Sequence, residues 1–146
     1  MFKGILAAAI AFGALSGTTY AACTQAQLAG TWAADALGSS SFESIQGANC
    51  TLVIDATGKL TNKSACAFTP AYSVGNALSG SIKLVSGPDC SFKGSFKIPF
   101  AHETYQIVRL TLAMSKTTAS AAGIYGSGNF GANSQAPFLM TLTKIK

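Results

Sequence analysis

Charge is what this sequence has least of. Only 10% of its residues are Asp, Glu, Lys or Arg, while 49% are hydrophobic. Soluble domains usually carry about a quarter charged residues. So apolar a chain is not disordered, because it has ample surface to bury. There is one histidine, His102, and five acidic residues in 146. A nucleophile–base–acid set would have to take its base from that one histidine. No Gly-x-Ser-x-Gly elbow presents a nucleophilic serine. No Cys-x-x-Cys pair occurs, and His102 is far from every cysteine, so zinc ligation is not expected. The polar inventory is thin for catalysis, and we expect binding rather than an enzyme, with no metal and no cofactor.

Long apolar runs are also missing, except at the start. Met1-Phe2-Lys3 is a short cationic opening, and residues 4–15 are almost wholly apolar. That run is too short to span a bilayer. Small residues follow, and Thr19-Tyr20-Ala21 suits a signal peptidase. We read residues 1–21 as a secretory signal peptide, cleaved after Ala21 or Ala22, and 22–146 as one domain. No transmembrane helix is expected after cleavage. Removing Lys3 leaves nine basic against five acidic residues, a net of +4. This modest, spread charge is not the dense basic face of a nucleic-acid binder.

The four cysteines, Cys23, Cys50, Cys66 and Cys90, all follow the leader. An even count in an exported chain implies two disulfides, and hence a periplasmic or extracellular site. Three pairings are open. We favour Cys50–Cys66 across a hairpin, which leaves Cys23–Cys90 to pin the N-terminus to a later strand. Lipidation of Cys23 is the competing use. Tyr20 is a poor lipobox residue, and lipidation would leave an odd thiol.

Thr24 to Gln27 has the Thr-x-x-Gln spacing of a capping box, which predicts one helical turn stopped by Gly30. Beyond it no helical period is convincing. Strand one is expected over 31–37, a loop over 38–41, a short or irregular strand over 42–46 and a turn at Gly47-Ala48-Asn49. Cys50 to Asp55 is a β-branched run. Asp55 before Ala56-Thr57-Gly58 is hairpin chemistry, and Lys59 to Phe68 is the expected return strand. Strands over 77–85, 90–100, 104–114, 121–125 and 137–145 follow, with a turn at Gly87-Pro88-Asp89. The clearest alternation is Cys90 to Phe100. Cys90, Phe92, Gly94, Phe96, Ile98 and Phe100 share one face, and Ser91, Lys93, Ser95 and Lys97 the other. A helix would scatter those phenylalanines. The expected fold is all-β, an antiparallel meander of about eight strands closing into a small barrel.

Several motifs need weighing against plain structural duty. Gly126-Ser127-Gly128-Asn129-Phe130-Gly131 matches a dinucleotide-binding spacing, but no helix follows, so a hairpin loop is expected. His102-Glu103 is the only histidine–acid neighbour pair, and an exposed loop is its commoner setting. Asp35, Asp55 and Asp89 fall near expected strand ends or turns, where Asp serves the backbone. Asn49-Cys50-Thr51 and Asn62-Lys63-Ser64 match glycosylation sequons. Lys83, Lys93 and Lys97 share an outward side, as a cationic patch or as a solvated face. Phe92, Phe96, Leu110 and Leu112 are either core or the lining of a ligand cavity.

Leu28-Ala29-Gly30-Thr31-Trp32, after a short helical turn and before a meander, resembles the start of lipocalins and related calycin barrels, avidins included. The resemblance implies that Trp32 plugs the barrel base and that Gly30 admits a close approach. The ligand-binding tryptophans of avidins have no counterpart, so it implies an architecture and no ligand. Small periplasmic inhibitors of proteases and lysozyme are similar in size and disulfide use. The expected function is therefore an exported binding protein carrying a small apolar ligand in a barrel. The alternatives are a disulfide-stabilised inhibitor or interaction protein acting on a secreted partner, and a small outer-membrane barrel.

Overall fold

A computed structural model describes residues 22–41, 44–69, 73–99, 104–127 and 136–146. Among these, nine strands form one antiparallel sheet that curls into a half-barrel. They are β1 (Gly30–Ser41), β2 (Ser44–Ile54), β3 (Ala65–Thr69), β4 (Ser73–Asn76), β5 (Ser79–Ser86), β6 (Ser91–Pro99), β7 (Thr104–Met114), β8 (Thr118–Ser127) and β9 (Ala136–Lys144). The only helical piece among the described residues is a 3-10 turn, Gln25–Leu28. Thr24 N donates to Gln27 Oε1 at 2.8 Å, which ties the first turn as the Thr-x-x-Gln spacing predicts.

The strand order is β4-β3-β2-β1-β9-β8-β7-β6-β5. The first and last strands are therefore neighbours, paired from Trp32 opposite Lys144 to Gly38 opposite Phe138. The two sheet edges are β4 and β5, which are consecutive in the chain. A short strip, Gly58 to Leu60, spans part of the gap between β2 and β5. Ile82 N donates to Gly58 O at 2.8 Å and Leu60 N to Gly80 O at 3.0 Å. On its other side Thr61 N donates to Val53 O at 2.8 Å, and Leu60 bridges to Ile54. Gly58 makes this approach possible. Its φ is +83°, and a Cβ there would lie 2.1 Å from Ile82 O.

Alternation puts one apolar face of the sheet inside. Trp32, Leu52, Ile82, Phe92, Phe96, Ile98, Leu110, Leu112 and Leu142 are fully buried in one cluster. Each such side chain contributes about 1.5–3 kcal/mol by leaving water. Trp32 satisfies its indole N–H by donating to Leu28 O at 2.8 Å, and Lys144 Nζ stands 5.5 Å above its ring. Ser64 is buried as well. Where β3 diverges from β2 its hydroxyl accepts from Val53 N at 2.9 Å and donates to Val53 O, standing in for a missing strand partner.

Both disulfides form as favoured, Cys50–Cys66 and Cys23–Cys90. Cys50 faces Cys66 directly in the β2–β3 ladder. Cys23–Cys90 fastens the segment before the 3-10 turn to the β5–β6 turn, where Cys23 N also donates to Gly87 O at 2.8 Å. Cys23 is thus engaged in a disulfide. Two bridges are consistent with an oxidising, exported setting.

Several boundaries differ from expectation. Gly47-Ala48-Asn49 is not a turn but lies within β2, opposite Leu37, Ala36 and Asp35. Its small residues let a central strand pack, and Ala48 is buried. The expected loop at 38–41 belongs to β1, so Asp35 sits in mid-strand. Lys59 to Phe68 is not one return strand: it is the bridging strip, a turn and then β3. The strand expected over 121–125 is longer at both ends, and β8 runs Thr118–Ser127. β7 matches its expected bounds. The leader, Phe42, Phe100 and residues 101–103 and 128–135 lie outside the described residues.

Candidate functional site

The β5–β6 hairpin presents two different surfaces because its residues alternate. Inward, Leu78, Ile82, Phe92, Phe96 and Ile98 are buried. Outward stand Ser79, Ser81, Lys83 and Val85 on β5, and Ser91, Lys93, Ser95 and Lys97 on β6. The register sets Lys83 opposite Lys93, Ser81 opposite Ser95 and Ser79 opposite Lys97. Lys59 joins this face from the bridging strip, opposite Ser81. The patch is therefore a pair of serines, Ser81 and Ser95, with lysines around it. Lys59, Lys83, Lys93 and Lys97 are all exposed.

Two like charges directly opposite on a sheet disfavour each other. The Lys83 ammonium turns away from Lys93 and donates to Thr57 O. Lys93 and Lys97 make no side-chain hydrogen bond or ion pair among the described residues. Thr57 is itself held by a tight turn. Asp55 Oδ1 accepts from Thr57 N at 2.8 Å, Thr57 Oγ1 at 2.7 Å and Lys59 N at 3.0 Å. These bonds, the Thr57 hydroxyl first, hold the Asp55 carboxyl below its ordinary pKa.

Beside this face lies an open groove of about 380 Å3. Asp55, Lys59, Thr61, Asn62, Leu78 and Ser79 are among its lining residues. Lys59 and Ser79 belong to both groove and lysine face. Asp55 Oδ2 takes part in no hydrogen bond among the described residues.

The residues singled out from the sequence fall in different places. Phe92, Phe96, Leu110 and Leu112 come together inside, at no more than 2% exposure, in one cluster with Trp32. Lys83, Lys93 and Lys97 come together outside. Asp35 is exposed on β1, Asp55 holds its turn, and Asp89 accepts from Ser86 Oγ at 2.8 Å. Asn49 and Asn62 are both exposed. Gly126-Ser127 ends β8, and the rest of that glycine motif lies outside the described residues, as do His102 and Glu103. Among the described residues, no three His, Cys, Asp or Glu side chains gather where a metal ion could bind. Leu37 and Leu139 face one another on β1 and β9, exposed at 63% and 68%.

Sequence reasoning missed Lys59 and the groove. Lys59 reaches the patch through a bridge between segments 22 residues apart, between Lys59 and Ser81. Only the Asp55 turn signalled that the chain would bend there. Searches against family models, curated proteins and solved structures find no match to this chain.

Proposed function

We propose that this chain is an exported, calycin-like barrel that works by binding a partner on its outer surface. The observation behind this reading is how the expected cavity residues pack. Phe92, Phe96, Leu110 and Leu112 are buried against one another and Trp32, as side chains fill the interior of a small barrel. The pairing of β1 with β9 and the strip from β2 to β5 support closure. Trp32, sealed against Leu28, then acts as the plug of one end. Outward lysines on β5 and β6 speak against an outer-membrane barrel, whose lipid face is an apolar band.

The test is native mass spectrometry of protein purified from its own host. The expected spectrum shows the mature chain, less four hydrogens for two disulfides, with no retained small molecule. A stoichiometric lipid or other apolar adduct that leaves on denaturation would overturn this reading and restore the carrier.

A further inference from the structure

We propose that the outer face of β5 and β6, with the groove beside it, binds an acidic polysaccharide. This rests on the reading of the protein as a surface-acting binder and names its partner class. The first support is charge. Lys83 and Lys93 stand about 5 Å apart between Cβ atoms. Lys93 and Lys97 are four residues apart along β6, about 13 Å. Lys59 lies two strand spacings from β6, about 10 Å. An exposed lysine holds a single anion only weakly. A row of such sites suits a polymer with repeated charges, because each bound group raises the local concentration of the next.

The second support is hydroxyl chemistry. Ser79, Ser81 and Ser95 alternate with the lysines and can donate to or accept from sugar hydroxyls. The groove extends this set with Thr61, Asn62 and Asp55. A carboxylate there repels an anionic group but accepts from neutral hydroxyls. A sugar ring therefore sits in the groove with its hydroxyls toward Asp55, while the carboxylates or sulfates along the chain point to the lysines.

Other polyanions fit less well. The outward positions of β5 and β6 hold no aromatic ring on which a nucleobase could stack. Val85 is their one exposed large apolar residue, too little to anchor the face in a lipid interface.

The experiment titrates the oxidised mature protein with polygalacturonate, using neutral dextran and phosphatidylglycerol vesicles as the comparison arms. Polygalacturonate is expected to bind and dextran not to bind, with affinity falling as salt rises. The double variant K93Q/K97Q should bind about tenfold more weakly, with a shallower salt dependence. The variant K116Q/K146Q has the same net charge but leaves the face intact, and should match the parent. Asn62→Ala, which leaves charge unchanged, should also weaken binding. Equal losses in the two lysine variants, an unaffected Asn62→Ala, vesicle binding without polysaccharide binding, or no binding at all would each overturn the proposal. An apolar adduct in native mass spectrometry would instead overturn the broader reading, so the two failures are distinguishable.

Discussion

Gln25 lies alongside Leu84 as if it were one residue of a further strand. Its Oε1 accepts from Leu84 N at 2.7 Å while its Nε2 donates to Ile82 O at 3.0 Å. With the strip taking Gly80 O and Ile82 N, the edge-facing backbone groups of β5 from Gly80 O to Leu84 N are occupied. An open strand edge invites pairing with another chain. Here a side chain and the Gly58–Leu60 strip cover it. The other edge, β4, is only four residues long, which is a second way of limiting the same hazard.

Replacing Gln25 by alanine should therefore do two things. It removes two backbone-capping hydrogen bonds at a part-buried site, a loss of about 1–3 kcal/mol. It also opens β5 as a pairing edge, so the variant should self-associate as concentration rises. Urea unfolding with light scattering measures both. A variant as stable and as monomeric as the parent would show that water replaces the amide at no cost.

The two disulfides should differ in what they contribute. Cys23–Cys90 joins residues 67 apart in sequence, and Cys50–Cys66 only 16 apart. In the chain-entropy account the longer loop restrains the unfolded state more, by about 1.3 kcal/mol for this ratio. The Cys23→Ser/Cys90→Ser pair should thus lose more stability than Cys50→Ser/Cys66→Ser. It should also loosen the 3-10 turn and so uncover the β5 edge. Hydrogen exchange at Leu84 N reads that second effect, which the other pair should not produce.

How much of this was legible in the sequence depends on how local each feature is. The Cys90 to Phe100 alternation names its own inward face, and the structure buries Phe92, Phe96 and Ile98 as that pattern requires. Asp55-Ala56-Thr57-Gly58 carries its turn chemistry within four residues, and the turn is there. Gly47-Ala48-Asn49 misleads because small residues suit a turn and a crowded central strand equally well. Only the neighbours Ala36 and Phe68 of Ala48 decide between them. Lys59 to Phe68 reads as a weak strand because it is three pieces with different partners. Gln25 carries no local signal for its role, since the groups it binds lie 57 and 59 residues away.

Asp55 gives the protein a specific acid dependence. Its folded pKa lies below the ordinary 3.8, chiefly through the Thr57 hydroxyl and the Lys59 amide. A depressed carboxyl stabilises the fold above its unfolded pKa, and the contribution is lost as pH falls through the folded value. Asp55→Asn should accordingly be less stable than the parent at pH 6. The gap should narrow as pH drops below 3.8. Urea midpoints for both proteins across pH 2–6 check this. A gap that is constant with pH would mean that the Asp55 charge has no part in holding the turn.

Trp32 is the only tryptophan in the chain, which makes its setting directly observable. It is fully buried, and its indole N–H donates to Leu28 O at 2.8 Å. That bond joins the 3-10 turn to β1, so the N-terminal segment is held at Trp32 as well as at Cys90. Phenylalanine keeps an aromatic ring but removes the donor and leaves unfilled volume. Trp32→Phe should lose about 2–4 kcal/mol from these two effects together. Far-UV circular dichroism in urea measures this without needing the indole. In the parent, emission should be blue-shifted when folded and should move to the red in step with the dichroism. Trp32→Leu removes the aromatic ring as well, and Lys144 then loses the ring face that it covers. If Trp32→Phe unfolds at the parent's midpoint, the Leu28 bond adds nothing, and the N-terminal segment is held by the Cys23–Cys90 bridge and its apolar contacts alone.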